Sequence, residues 1–576
     1  MVGSFPNTLA PQLTAFLTKF RSSSRAATPD SIVIQASRWP RVLFWILAAS
    51  LLPVMVTASA DFGMTWDEMD RHKNGRAIVD YYLGSVPREQ AHYGTMYPGL
   101  FDVIPAWLER QVDVDRYVLR HRVNAVFGWI GIVFTGLLAS RLFGPWSGIL
   151  AQILLAVSPR YFAHSMNNPK DLPFAAMSVM VLYCLSRLTP RWPYLTVGTG
   201  AALAVALGLA LGTRPGALIY FGYLPLLLLA ILIVQWISAV PRADRGDVRR
   251  WLRTIFTIPR VHWTAAVQLV ARVSLVIVAG LVLGTVFWPW AQVEPFTRPF
   301  EALTRAGAYD WDGLVLFDGR QYPADKLPSS YLPTWFLITT PLVVLVGMVF
   351  AIAHVRGWGW PRLALWTVAL LPIVLIIARG SMVYDGMRHV LFAYPPMAVL
   401  AASGWTALLT DRQRWLRIGG FALLIAGLVN VLSFNLRSYP NQVAYINELA
   451  GGPSGAFGSY ELDYWGNCML QAVEWSAATA RRAQMPVRVF GRPDHLVEFN
   501  AARFPALIVA PNRADPHHLE IQLLRGSVNH MLRLVTNPQV VHRVTTADGA
   551  VLCVVSRGSH FEELERRLQA VSRPPS

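Results

Sequence analysis

Apolar residues in this chain gather into long runs separated by short polar breaks. Stretches long enough to cross a hydrocarbon layer of about 30 Å fall at roughly 42–60, 123–140, 197–213, 215–240, 264–290, 334–354, 363–378, 389–410 and 418–436. Two shorter runs, 146–158 and 173–187, flank a polar stretch and read as a further pair. Runs of this length and number predict a polytopic α-helical membrane protein with about eleven transmembrane helices.

Polar segments at 61–121, 159–173 and 291–333 are longer than simple connections need, while those at 213–216 and 379–388 are short. Within the first, Pro98 to Arg116 carries Leu100, Phe101, Ile104, Trp107 and Leu108 at helical spacing. That predicts an amphipathic helix lying in the membrane interface. Beyond residue 436 the pattern changes. Tyr464 to Gln484 reads as a helix, Pro486 to Gly491 and Ala506 to Ala510 as strands, and Phe561 to Val571 as a closing helix. Val540 to Val555 alternates around Asp548-Gly549, a hairpin signal. The chain therefore divides into a polar tail (1–41), a membrane region (42–436) and a small α/β domain (437–576).

Composition narrows the class. With 54% hydrophobic residues, 15% charged and a mean hydropathy of +0.37, the chain lacks the polar surface of a soluble protein. Its 21 Trp and 19 Tyr suit many membrane–water interfaces. The net charge of +17 is read as basic loops facing anionic lipid, with no nucleic-acid partner. Asp61 to His121 holds ten acids, whereas Arg242, Arg245, Arg249, Arg250, Arg253 and Arg260 crowd one loop. Arg187 and Arg191, Arg356 and Arg362, and Arg412, Arg414 and Arg417 mark further basic loops. The alternation places the N-terminus in the cytoplasm and, for an odd number of spans, residues 437–576 outside. The first forty residues are Ser/Thr/Arg-rich without a cleavable signal peptide, so Val42 to Ala60 serves as a signal anchor. Of the three cysteines, Cys468 and Cys553 lie in the C-terminal domain. They are read first as small buried apolar residues, with pairing as the alternative in an oxidising compartment.

Three polar segments carry the chemistry. Thr65-Trp66-Asp67-Glu68 follows the first span, and its adjacent carboxylates suit a general base. Thr65 and Glu68 also form a capping box for a helix running toward Tyr82. In Pro159 to Pro173, Lys170 suits a phosphate, and His164 and Asp171 suit an acceptor or metal; the plainer reading is a turn at Asn168-Pro169 with Asp171 capping the next helix. Arg214 and the loop Arg379 to His389, with Tyr384, Asp385 and Arg388, complete the set, although basic residues at span ends also snorkel to headgroups. No phosphate-binding P-loop, dinucleotide fingerprint or H-E-x-x-H helix is present.

The ordered set resembles the GT-C membrane glycosyltransferases, and among them glycosyltransferase family 39, which holds protein O-mannosyltransferases and the lipid A aminoarabinose transferase. Its residues are Asp67-Glu68 after the first span, the His164 to Pro173 segment, and many spans ahead of a far-side domain. Tyr384-Asp385-Gly386-Met387-Arg388-His389 and Tyr460-Glu461-Leu462-Asp463-Tyr464-Trp465-Gly466 resemble segments of bacterial members with unassigned acceptors. The resemblance implies a GT-C-like fold and transfer of a hexose or pentose from a polyprenyl-phosphate carrier, at the outer face of the cell membrane, to an unspecified protein, lipid or glycan acceptor. Asp67 would match the catalytic carboxylate and Glu68 its acidic neighbour. Lys170, Arg214 and Arg388 are the candidates for holding the donor phosphate, and His164, Asp171, Tyr384 and Asp385 for contacting substrate. A divalent cation (Mg or Mn) would look to Asp67, Glu68 and Asp171, since such enzymes differ in metal dependence. The rival classes are a transporter or flippase of a lipid-linked sugar and a non-catalytic membrane assembly protein. The spans at 215–240, 334–353, 389–410 and 418–436 hold no Asp, Glu, Lys or Arg away from their ends, with Arg272 the main exception elsewhere, which weighs against the former.

Overall fold

The computed structural model describes residues 38–91, 96–188, 195–239, 263–307, 311–353 and 359–572. The tail before residue 38, the arginines of 242–260, Arg191 and Arg356 lie outside the described residues, so the charge argument for sidedness rests on the sequence.

Each of the predicted apolar runs falls on a helix. Among the described residues six helices are long and apolar enough to cross a membrane: Trp39–Asp61, Arg116–Phe143, Val267–Thr285, Pro361–Ala378, Arg388–Leu409 and Arg414–Arg437. Pro145–Ala156, Asp171–Ser186, Val197–Leu211 and Pro215–Leu229 are shorter apolar helices. The chain is a multi-pass membrane protein. The run at 334–354 is a correction, since it divides into Tyr331–Thr339 and Leu342–Ala353, bent by 109°. Pro341 is the cause, because its ring disfavours helical geometry at the preceding residue and Thr340 is extended. The carbonyls freed at the bend are not left bare. Asn447 donates its side-chain amide to Leu337 O (2.6 Å) and Thr340 O (2.9 Å), and its backbone N–H to Ile338 O (2.7 Å).

The helix that begins near Arg388 is the centre of the bundle. Its apolar window is 89% buried, against 17% for Arg414–Arg437 at the periphery. Gly404 permits the closest approach there, since a Cβ would stand 2.0 Å from the carbonyl oxygen of Gly347. The segment 159–173, expected as a polar loop, is instead the helix Pro159–Asn167 with almost every residue buried. The helix expected over Pro98 to Arg116 is confined to Leu100–Leu108. It buries Leu100 and Phe101 while Trp107 is exposed. Its Asp102 is also buried, accepting from Arg71 and, at 2.9 Å, from Asn74.

In the segment 291–333 a short hairpin joins β1 (Leu314–Phe317) to β2 (Arg320–Pro323). The C-terminal domain is a five-stranded mixed sheet of β3 (Val487–Arg492), β4 (Leu507–Val509), β5 (Leu519–Leu523), β6 (Val540–Thr545) and β7 (Val551–Arg557) in the order β4-β3-β5-β7-β6. β3 pairs in parallel with β4 and β5, and β7 runs antiparallel to β5 and β6. Helices Met469–Ala483 and Phe561–Ser572 match the expected pair, the first starting later than predicted. Cys468 and Cys553 are joined in a disulfide, which corrects the reading of two buried thiols; Cys184 is free and buried. The bridge ties the start of Met469–Ala483 to β7 across 85 residues of sequence. Cys553→Ser is expected to cost the domain about 2–4 kcal/mol, read as faster hydrogen exchange of β3, β5 and β7 amides; unchanged exchange would contradict it.

Candidate active site

The strip after the first span is fixed from two directions. Glu68 reaches back to accept from the Thr65 backbone N–H and hydroxyl, both at 2.9 Å, which is half of the predicted capping box; Asp67 instead of Thr65 stands at the cap of the helix Glu68–Tyr82, and the Thr65 hydroxyl donates to Glu68 where the box would have it accept. His121 Nε2 lies 2.8 Å from the other Glu68 oxygen, and the carboxylate is buried. Glu68 is thus occupied in holding the turn. The C-terminal domain holds the other side: Gly63 N donates to Asn467 Oδ1, Met64 N to Asn500 Oδ1, and Trp66 Nε1 to Tyr464 O at 3.1 Å. Asp67 is left projecting, with its side chain 24% exposed.

Around Asp67 the predicted cations converge. Arg388 Nη1 donates to Asp67 Oδ2 and to Asp171 Oδ2, each at 3.3 Å, and its Nε is 3.1 Å from Asp385. Lys170 Nζ stands 3.5 Å from the same Asp67 oxygen and 4.8 Å from the centre of the Tyr97 ring. Arg214 pairs with the remaining Asp171 oxygen beneath. Burial alone would raise the Asp67 carboxyl, but Lys170 and Arg388 together more than offset it and hold it below the usual carboxylate range. The Arg388 guanidinium is also sandwiched by rings, 4.8 Å from Tyr384 and 5.0 Å from Trp465. Tyr384 stacks in turn on Trp311 at 4.3 Å.

Asp171 does not cap its helix as expected. Asn168 does, its Oδ1 accepting from Lys170 N and Asp171 N at 3.1 and 2.9 Å, while the Asp171 carboxylate takes the two arginines and, at 3.1 Å, the Asn168 amide. His164 lies wholly buried below. Asn168 Nδ2 donates to its Nδ1 and its Nε2 meets the Tyr464 hydroxyl, both at 3.0 Å. Burial pushes the ring down to about 3, matching a neutral imidazole bonded at both nitrogens. The metal reading finds no fit. Among the described residues no group of three or more His, Cys, Asp or Glu side chains is placed to hold an ion. Asp67 and Asp171 share Arg388, and Glu68 belongs to Thr65 and His121.

One participant escaped the sequence reading. Arg525, from the end of β5, donates to Asp385 Oδ1 at 2.6 Å and lies 3.4 Å from buried Glu461. Asp385 takes a left-handed backbone (φ 56°), as does Gly386 (φ 68°), and that turn aims the carboxylate between Arg388 and Arg525. Arg525 is one basic residue in a domain with many, so no local pattern marks it.

No family model matches the chain, and no curated protein does either. Its architecture is similar to that of several solved structures. ArnT from Cupriavidus metallidurans in the apo state is 14% identical, with a TM-score of 0.46 covering 92% of this chain and 99% of that one. The same protein bound to undecaprenyl phosphate gives 14% and 0.45 over 94% and 100%. The apo oligosaccharyltransferase of Archaeoglobus fulgidus gives 12% and 0.42 over 83% and 65%.

Two outcomes test the charge arrangement. Arg214→Ala strips a partner from a buried carboxylate and is expected to destabilise by about 3 kcal/mol. Adding Asp171→Ala should recover part of that loss, and strictly additive effects in denaturation would refute the coupling. Burial pushes the Glu461 carboxyl up, more than Arg525 beside it brings it down. A carboxyl raised on folding binds its proton more tightly in the folded state, so its contribution is complete below the ordinary glutamate range and fades as pH rises through the elevated value. Glu461→Gln should flatten that part of the stability–pH curve; an unaltered slope would assign it to other groups.

Proposed function

We propose that the chain transfers a sugar from a polyprenyl-phosphate-linked donor to an acceptor hydroxyl at the extracytoplasmic membrane face, with inversion and with Asp67 as general base. One observation carries this reading: a single partly open carboxylate sits against two cations, Lys170 and Arg388, above a buried Asp171–Arg214 pair. The family resemblance of these segments supports it. The disulfide favours an oxidising compartment for the C-terminal domain.

In the reaction, the acceptor oxygen attacks the anomeric carbon as its proton passes to Asp67. The bond from that carbon to the phosphate oxygen breaks, and polyprenyl phosphate departs with the electron pair. Lys170 and Arg388 stabilise the negative charge on the leaving group, as fixed cations in a partly dry site do better than water. Arg214 acts one step removed by holding Asp171 and, through it, Arg388. A donor phosphate competes with Asp67 for the same two cations, so its arrival relieves the carboxylate of what lowers its basicity. His164 and Asp385 position Tyr464 and Arg388, and the Tyr384 ring packs against the Arg388 guanidinium.

The test is transfer from a panel of polyprenyl-phosphate sugars by purified protein in lipid nanodiscs. Asp67→Asn should lower the rate about 10²–10⁴-fold, the range of a positioned general base, with lipid binding retained. Lys170→Ala should raise the donor KM more than the acceptor KM. Equal transfer by wild type and Asp67→Asn would move the base elsewhere. Donor binding without transfer by either protein would favour a transporter.

A further inference from the structure

A cavity of 660 Å³ opens in the C-terminal domain where the parallel strands end. Arg492 closes β3, Asn512 and Arg513 follow β4, and Arg525 follows β5; all four line it. β3 lies between β4 and β5, so the chain leaves β3 to one side and returns on the other. Ligand crevices of open α/β sheets form at such points, beyond the carboxyl ends of the strands. The volume has room for a short oligosaccharide.

The membrane region completes the wall. Trp66, the residue before Asp67, lines the cavity. Its indole and Arg525 Nη1 donate to the same carbonyl, that of Tyr464, at 3.1 and 3.2 Å. Arg525 therefore borders the cavity on one side and pairs with Asp385 of the charged site on the other. The cavity thus reaches the chain neighbour of the base.

The rim has a definite chemistry. Among the described residues the side chains of Arg492, Asn512 and His530 make no hydrogen bond or ion pair. Arg513 has Glu520 at 3.3 Å yet remains 59% exposed. Asp494 is the acid on the lining, and its Oδ1 accepts from the His495 backbone N–H at 2.7 Å. The free guanidinium of Arg492, the exposed guanidinium of Arg513, an amide, an imidazole and an indole wall together suit a ligand rich in hydroxyls that carries negative charge.

We infer that this cavity seats the acceptor, an acidic saccharide, with its reacting hydroxyl directed past Trp66 toward Asp67. The inference rests on the transferase reading and adds the acceptor class to it. Trigalacturonate and maltotriose, titrated calorimetrically into the full chain in nanodiscs, are the probes. Trigalacturonate should bind more tightly than maltotriose. Arg492→Gln should weaken it at least about tenfold and Arg492→Gln/Arg513→Gln further, at an unchanged thermal midpoint. Equal affinity for the two sugars, equal binding by wild type and Arg492→Gln, or no binding by a protein that transfers from lipid-linked donors would each overturn the acceptor assignment and leave the transferase reading standing. Charge-selective binding without transfer from any donor would overturn the transferase reading and with it the acceptor role.

Discussion

Everything at the candidate site hangs on one buried guanidinium. Arg388 is almost fully enclosed, a position tolerable only if its charge is matched at close range. Three carboxylates do this, and they come from three separate places: Asp67 after the first span, Asp171 at the start of a short apolar helix, and Asp385 in the turn just before it. Each carboxylate has a second cation of its own, in Lys170, Arg214 and Arg525. The result is an alternating lattice of charge that reaches from the membrane bundle into the C-terminal sheet. Its geometry dictates local oddities, among them the left-handed backbone at Asp385.

Much of this was legible in the sequence where the signal is local. Apolar run length located the helices, and alternation around Asp548-Gly549 located the β6–β7 hairpin. The Thr65–Glu68 spacing foretold a contact seen at 2.9 Å. Asp67, Lys170, Arg214 and Arg388 meet, as their shared predicted face implied. What stayed hidden depends on partners far along the chain. Pro159–Asn167 looks like a solvent loop because its residues are polar, yet Tyr464, 300 positions away, satisfies His164. Likewise Asn447 makes the bend at Pro341 tolerable from more than a hundred residues downstream. β5 and Arg525 gave no periodic signal, since a short central strand buried on both faces does not alternate.

The same long-range contacts blur the division between membrane region and C-terminal domain. Trp465 covers Arg388, Tyr464 meets His164, and Asn467 and Asn500 hold the backbone that presents Asp67. The segment Tyr460 to Gly466 is thereby part of the site, although sequence composition assigns it to the C-terminal domain.

That clamp sets an order of events during synthesis. The strip Gly63 to Asp67 leaves the ribosome early, but the groups that pin it follow some four hundred residues later. Until the C-terminal sheet has closed around Arg525 and the Cys468–Cys553 bridge, Asp385 and the backbone before Asp67 lack their restraints. A chain lacking the segment Tyr464 to Arg525 would hold the right residues in the wrong places, so that segment completes the loop that presents Asp67.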